Sequence, residues 1–246
     1  SFEKIELYNF PVIYLIILLY MNIDIIIPCY NEENTIEIII LESIKHLSSK
    51  DNLIIVDDGS TDKSNFLIKN LVNKFANITL IKHEKNLGKG AAIQTALKRV
   101  QNEIVIIQDS DLEYNPSEYK KLINPILKFG ADVVYGSRFG GSDEHRVLYF
   151  WHKIGNNLLT FLSNVFTNLN LTDMEVGFKA FKSDKILKLN LREKRFGFEP
   201  EVTIKLAKGK CIFYEVGISY RGRTYEEGKK IGLLDAFVAI YCIIRY

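Results

Sequence analysis

The sequence of 246 residues is 47% hydrophobic and 25% charged, which excludes a disordered or collagen-like chain and suffices for one large domain or two small ones. Thirty-two Lys and Arg against 30 Asp and Glu leave a formal charge of +2, too balanced for a general nucleic-acid binder, so any basic site is local. Three widely spaced cysteines, Cys29, Cys211 and Cys242, suggest neither a disulfide framework nor a zinc pattern and fit a reducing compartment.

In chain order, the apolar run Phe10–Tyr20 (FPVIYLIILLY) comes first, only about half the roughly 20 residues a bilayer crossing needs. It lacks the basic leader and cleavage site of a secretory signal, so residues 1–21 read as an apolar extension. From Met21 onward, β-branched runs alternate with amphipathic segments. The spacing predicts strands over Ile23–Pro28, Leu53–Val56, Ile78–Ile81, Ile104–Gln108 and Ala131–Tyr135. Between them it predicts helices over Glu33–Leu47, Asp62–Phe75, Gly88–Val100 and Pro116–Phe129. The second half predicts a helix over Val147–Thr167, an extended stretch over Gly177–Phe181, a helix over Glu199–Lys208 and a strand over Ile212–Tyr220. This order implies an α/β fold with a mostly parallel central sheet flanked by helices, in one domain.

Ligands of such sheets bind outside the carboxyl ends of the strands. There the sequence puts Pro28, Tyr30, Asn31 and Glu32, then Asp57, Asp58 and Gly59, then Asn86, Gly88 and Gly90, then Asp109 and Asp111, then Gly136, Ser137 and Arg138. Asp109-Ser110-Asp111 carries two carboxylates one residue apart at a strand end, with Glu113 beyond. Hard oxygen ligands of this kind suit Mg²⁺ or Mn²⁺ bridging a diphosphate, although an Asp-x-Asp triplet alone reads more plainly as a solvated turn. Asp57-Asp58-Gly59-Ser60-Thr61-Asp62 is a turn with Ser60 or Thr61 capping the next helix, and it also offers Asp57 or Asp58 as an open carboxylate for a base or ribose hydroxyls. Asn86-Leu87-Gly88-Lys89-Gly90 is not a Walker A loop, since a Gly follows Lys89; Gly88 and Lys89 either start a tightly packed helix or contact the donor. No strand leads into a G-x-G-x-x-G turn, which argues against a dinucleotide dehydrogenase.

Taken together, PCYNEENT, VDDGSTDKS, NLGKGAA, QDSDLE, YGSRF, LTDMEVGFKAF and GRTYEEGKK resemble family 2 of the inverting glycosyltransferases, of GT-A fold with a Rossmann-like sheet, and most of all its polyprenyl-phosphate branch of the dolichyl-phosphate mannose synthase type. The resemblance runs from about Ile23 to about Lys230. It implies a catalytic domain over residues 22–230 and a hydrophobic C-terminal segment over 231–246. It further implies a metal-dependent hexosyl transfer from a UDP- or GDP-linked sugar to a polyprenyl phosphate or a saccharide hydroxyl.

By the same resemblance, Pro28, Tyr30, Glu32 and Asp57 hold the nucleoside, and Asp109, Asp111 and Glu113 hold the metal and diphosphate, with Ser110 between them. Arg138 lies on the sugar or acceptor side, and Arg223 with Lys229 forms a phosphate-binding pair; Lys230 reads as a solvated charge. Asp173 falls in an acidic motif near the acceptor, where a polar-loop role is as good a reading for Glu175 as a functional one. An alcohol acceptor needs a base, which Asp173 would supply, whereas a phosphate is already anionic and leaves Asp173 to orient the site.

His83 and His152 read as structural or solvated. His145 and Arg146, with Gly140 and Gly141, are candidates for an acceptor loop, and Tyr149, Phe150 and Trp151 for core or interface aromatics. The tail Ile231–Tyr246, flanked by Lys229, Lys230 and Arg245, is a candidate peripheral membrane contact, consistent with a cytoplasmic enzyme at the inner face of a membrane. Two rivals remain: a nucleotidyltransferase, whose Gly-rich Arg-containing loop PCYNEE replaces, and a silent nucleotide-sugar binding protein.

Overall fold

The computed structural model describes residues 21–140, 146, 147, 149–224 and 233–246. The expectations for residues 1–20, Gly141, His145, Lys229 and Lys230 fall outside them. Among the described residues, the strands are β1 (Ile23–Cys29), β2 (Asn52–Asp57), β3 (Ile78–Lys82), β4 (Ile104–Ile107), β5 (Val133–Ser137), β6 (Lys179–Lys182) and β7 (Phe213–Gly217). They form one sheet in the order β3-β2-β1-β4-β6-β5-β7. The helices are α1 (Ile36–Lys45), α2 (Ser64–Val72), α3 (Lys89–Leu97), α4 (Tyr119–Phe129), α5 (Phe150–Thr167), α6 (Ser183–Ile186), α7 (Phe198–Lys208) and α8 (Leu233–Arg245), with a 3₁₀ turn at Pro116–Glu118.

All seven residues of β1 are buried, as a central strand covered on both faces requires. β1 pairs in parallel with β2, Ile25 opposite Leu53, and with β4, Ile25 opposite Ile106. The parallel run breaks at β6, which is antiparallel to both β4 and β5. Helices seal the faces through apolar stripes: α1 buries Ile36, Ile39, Ile40 and Ser43, the spacing of one helical face. The core is continuous from Ile78 on the β3 edge to Phe198 and Val202 on α7.

The acidic residues at the amino ends of the strands are structural. Asp24 accepts from the backbone N–H of Gln101 and Asn102 at 2.6 and 2.9 Å, and Asp51 from that of Ile23 at 2.8 Å. Their lone pairs are taken up by the fold.

Several local expectations need correcting. The expected helix over Pro116–Phe129 opens as the 3₁₀ turn, because Asn115 accepts from the N–H of Ser117 at 3.0 Å and holds the first turn tight. Neither Ser60 nor Thr61 caps α2; Asp62 accepts from the Ser64 N–H at 2.9 Å, while Ser60 Oγ accepts from Asn31. Of the core and interface readings of Tyr149, Phe150 and Trp151, the core one fails: Tyr149 just before α5 and Phe150 and Trp151 at its start are exposed to solvent, Trp151 at 77%.

Candidate active site

The carboxyl ends of β1, β2 and β4 form a rim, and the loops there are held by local side-chain bonds. After β4, Asp111 Oδ1 accepts from the Glu113 N–H at 3.1 Å, an Asx-type turn that bends the chain at once. That bend answers why two carboxylates one residue apart can serve one site. It also separates their partners in this conformation. Asp109 pairs with Lys89 Nζ at 2.8 Å, whereas Asp111 Oδ2 accepts from Arg223 Nη2 at 2.7 Å.

Arg223 is the hub of the rim. Its Nη1 lies 3.1 and 3.2 Å from the two oxygens of Glu32, its Nε 3.7 Å from Glu113 Oε1, and its own N–H donates to Glu113 Oε1 at 2.7 Å. Tyr220 Oη donates to Glu113 Oε2 at 3.1 Å. The Asp111 carboxyl is pushed up to about 8 by burial and by the like charges of Asp109 and Glu113, with Arg223 pulling the other way. Among the described residues no three Asp, Glu, His or Cys side chains converge on one point that would hold a metal. The expected ligand set Asp109, Asp111 and Glu113 is therefore not assembled in this form, because each carboxylate has found a protein cation or N–H instead.

The open carboxylate expected at Asp57 or Asp58 is also absent. Asp57 accepts from the Ser60 N–H at 2.9 Å and Asn65 Nδ2 at 2.6 Å. Asp58 accepts from the N–H of Leu87 and Gly88 at 3.0 and 2.7 Å and pairs with His83 Nδ1 at 2.6 Å. Both are buried, and they position the rim loops rather than stand open. His83, bonded to Thr95 as well, is structural as expected. Pro28 lies within β1, Tyr30 just beyond it is half-buried, and Ser110 is buried between the two acids.

Gly88 has φ +102°, a conformation glycine adopts freely, and a Cβ there would run into the Lys194 carbonyl. The packing reading of this loop holds, and Lys89 does more than start α3. Besides Asp109 it lies 3.2 Å from Glu199 Oε1 on α7, and Glu199 in turn pairs with the fully buried Lys179. Burial alone would lower Lys89, but Asp109 and Glu199 raise it above the ordinary range, so it stays charged. A Cβ on Gly177 would meet the Asp109 carboxylate and Lys89 Nζ, so a larger residue there would push the Asp109–Lys89 pair aside.

On the other side of the rim, Arg138 after β5 grips Asp173 with Nε at 2.6 Å and Nη2 at 2.7 Å, and its N–H adds a third bond at 3.1 Å. Asn156 on α5 bonds both partners. Asp173 is fully buried with both oxygens engaged, the condition of an orienting group rather than a base. Nearby, burial pushes the Glu175 carboxyl up to about 7, with Glu199 adding to the effect, and its Oε1 has no partner among the described residues.

The structure thus brings Glu32, Asp109, Asp111, Glu113, Lys89 and Arg223 together, and Arg138 with Asp173 beside Tyr220, over whose ring the guanidinium lies at 5.3 Å. Sequence reading missed Glu199, Asn156 and Tyr220. Glu199 lies 110 positions from Lys89 on a helix with no local motif, so only the fold reveals the pair. Tyr220, three residues before Arg223, stands two positions ahead of GRTYEEGKK, so the only signal for it was its closeness to that motif.

Comparison with known proteins shows the family and the fold. The profile of the family described as "Glycosyl transferase family 2" matches residues 24–189. The UDP-N-acetylglucosamine–dolichyl-phosphate N-acetylglucosaminyltransferase of Methanococcus voltae is 30% identical over 239 residues, 90% of this chain and 94% of the relative. A dolichyl-phosphate β-glucosyltransferase of Trichomonas vaginalis is 30% identical over 216 residues, 80% of this chain and 65% of the relative. Among solved structures, glucosyl-3-phosphoglycerate synthase of Mycobacterium tuberculosis superimposes with a TM-score of 0.71 at 21% identity, over 95% of this chain and 81% of that one. The same enzyme in complex with Mn²⁺, UDP and glucosyl-3-phosphoglycerate gives 0.66 at 22% identity, over 85% and 75%. The shared fold is GT-A.

Proposed function

The chain belongs to glycosyl transferase family 2 and is a glycosyltransferase of its dolichyl-phosphate branch, and from that premise we propose that it moves a hexose from a UDP-linked sugar to a polyprenyl phosphate with inversion at the anomeric carbon. The observation that carries this reading is the rim itself, where four carboxylates, Glu32, Asp109, Asp111 and Glu113, face two cations, Arg223 and Lys89, at the carboxyl ends of the strands. The Methanococcus voltae relative is named for a UDP-linked donor and dolichyl phosphate, which supports both the donor and the acceptor.

The donor set fits a divalent cation. The guanidinium of Arg223 already stands as a cation between Glu32, Asp111 and Glu113, and these hard oxygens suit Mg²⁺ or Mn²⁺ better than softer metals. Asp109, Asp111 and Glu113 would hold it, and when bound it would neutralise charge on the departing diphosphate. The chain's own residues do the rest. Lys89, kept charged by Asp109 and Glu199, and Arg223 supply positive charge for the phosphates. Asp58 fixes the Leu87–Gly88 turn that presents Lys89.

In the transfer, an acceptor phosphate oxygen forms a bond to the anomeric carbon as the bond to the diphosphate oxygen breaks and its electron pair leaves with UDP. A phosphate nucleophile needs no base. The engaged state of Asp173 supports that acceptor over a saccharide hydroxyl, since Asp173 spends its oxygens holding Arg138 toward the acceptor side. The reading is tested by UDP release from UDP-sugars. Release that requires both a divalent cation and polyprenyl phosphate is expected, whereas release stimulated only by free saccharides would favour the saccharide-hydroxyl alternative.

A lipid acceptor requires contact with a bilayer, and among the described residues no helix is long and apolar enough to cross one. The contact is instead a surface. The solvent side of α5 presents Trp151, Leu158, Phe161 and Val165, and α8, packed on α5, presents Phe237, Tyr241 and Ile244. Exposed apolar and aromatic residues grouped in this way, with Lys153 and Arg245 among them, suit the interface of an anionic membrane. Flotation with vesicles containing anionic lipid is expected to carry the protein upward, and the Trp151→Asp/Phe161→Asp variant to stay below. Equal recovery of both in the lipid-free fraction counts against this surface.

A further inference from the structure

The carboxylates that suit a divalent cation are not free to take one, because Arg223 occupies their midst. Its guanidinium touches Glu32 and Asp111, and its Nε faces Glu113 from 3.7 Å. The backbone is fastened as well: the Arg221 N–H donates to the Glu113 carbonyl at 3.1 Å, the Arg223 N–H to Glu113 Oε1 at 2.7 Å, and Tyr220 Oη to Glu113 Oε2 at 3.1 Å. Residues 220–223 therefore lie as a strap across the acidic rim, held chiefly by one residue of that rim. The hold is incomplete. Arg223 Nε is a buried donor without a hydrogen-bond partner, although three carboxylates surround the guanidinium. A guanidinium that fits its carboxylates fully would use that donor, since fork-to-fork pairing engages it in planar bidentate contacts.

We propose that Arg223 is an internal counter-ion that blocks the donor site in the absence of substrate, and that a divalent cation with a nucleoside diphosphate displaces it from Asp111 and Glu32. The proposal rests on the reading of the rim as a cation and diphosphate site. A divalent cation on these oxygens would stand within a few ångströms of the guanidinium, where two positive charges repel in a partly buried site, so guanidinium and metal compete. A diphosphate arriving with the metal brings its own oxygens, to which the released guanidinium transfers. Neither ligand alone offers Arg223 an equal exchange, because the metal takes its carboxylates without replacing them and the diphosphate without a metal adds negative charge to an acidic rim. The strap thereby favours binding of the cation and the nucleotide together over either one singly.

The test is Mn²⁺ uptake followed by electron paramagnetic resonance of the free ion, with and without UDP, for the parent protein, Arg223→Gln and Arg223→Lys. If the displaced state of the parent is populated at about a tenth or less, Arg223→Gln binds Mn²⁺ alone at least about tenfold more tightly than the parent. Arg223→Lys, a point charge without the fork, falls between them. Added UDP is expected to tighten Mn²⁺ binding strongly in the parent and much less in Arg223→Gln. Uptake by parent and Arg223→Gln with the same affinity in the absence of UDP, or weaker uptake by the variant, overturns the displacement while leaving the cation site standing. Absence of Mn²⁺ uptake by every form even with UDP overturns the cation reading and the proposal with it.

Discussion

Replacing Asp111 by alanine is expected to lower transfer by at least about a thousandfold, the loss of roughly 4 kcal/mol of transition-state stabilisation, while the protein stays folded. Both halves of that expectation come from the environment of the carboxyl. Burial, with the like charges of Asp109 and Glu113, pushes it up to about 8, so the fold favours the protonated form of a group that must be ionised to grip a cation. The folded value lies above the unfolded one of about 4. The stability tied to that proton is therefore whole below pH about 4 and is lost as pH rises through about 8. Removing the carboxyl removes this dependence, and Arg223 keeps Glu32 and Glu113 as partners. Thermal unfolding at pH 8 is expected to show Asp111→Ala at least as stable as the parent, with transfer abolished. A large fall in unfolding temperature would assign Asp111 to the fold instead, and retained turnover would remove it from the site.

Arg138→Ala is expected to do the opposite, lowering stability as well as transfer. Asp173 is fully buried, and the variant strips it of the two side-chain bonds from Nε and Nη2. Breaking a buried pair by removing one partner costs about 3–5 kcal/mol, because the other charge stays behind uncompensated. Here the Arg138 N–H and Asn156 Nδ2 remain on Asp173, which sets the loss toward the lower end. For a chain of this length the unfolding temperature falls on the order of 10 °C. Removing both charges, as in Arg138→Met/Asp173→Leu, recovers part of that stability, since a buried pair contributes little net against well-packed apolar residues while the Arg138 N–H and Asn156 Nδ2 lose their acceptor. The double variant remains inactive if Arg138 serves the acceptor side. Recovery of transfer along with stability would reduce the pair to a structural role.

The fold was largely legible because its central strands are unbroken β-branched runs, as in Ile23–Cys29 and Ile104–Ile107, separated by helical stripes such as Ile36, Ile39 and Ile40. Strand direction was not: Lys179–Lys182 reads as any short extended segment, and its antiparallel insertion between β4 and β5 depends on long-range pairing that no local pattern encodes. At the site, the identity of the rim residues followed from the rule that ligands gather at the carboxyl ends of strands, and Asp109, Asp111, Asp57 and Arg138 all lie there. Their partners did not follow. Asp57 and Asp58 looked open in sequence because a carboxylate after a strand carries no sign of which N–H groups will fold onto it. Arg223 looked like a phosphate ligand, and its contacts with Glu32 and Asp111 span 191 and 112 positions. The aromatics at the start of α5 were left between core and interface because helical periodicity reports that a helix has an apolar side and not what covers it.

The most direct test of the central claim follows a radiolabelled hexose from UDP-sugar donors in the presence of Mn²⁺ and polyprenyl phosphate. Label is expected in the organic-extractable fraction as a polyprenyl-phosphate monosaccharide of inverted anomeric configuration, dependent on both the cation and the lipid. Label that stays wholly in the aqueous phase with every donor, or enters the lipid with retained configuration, would contradict it.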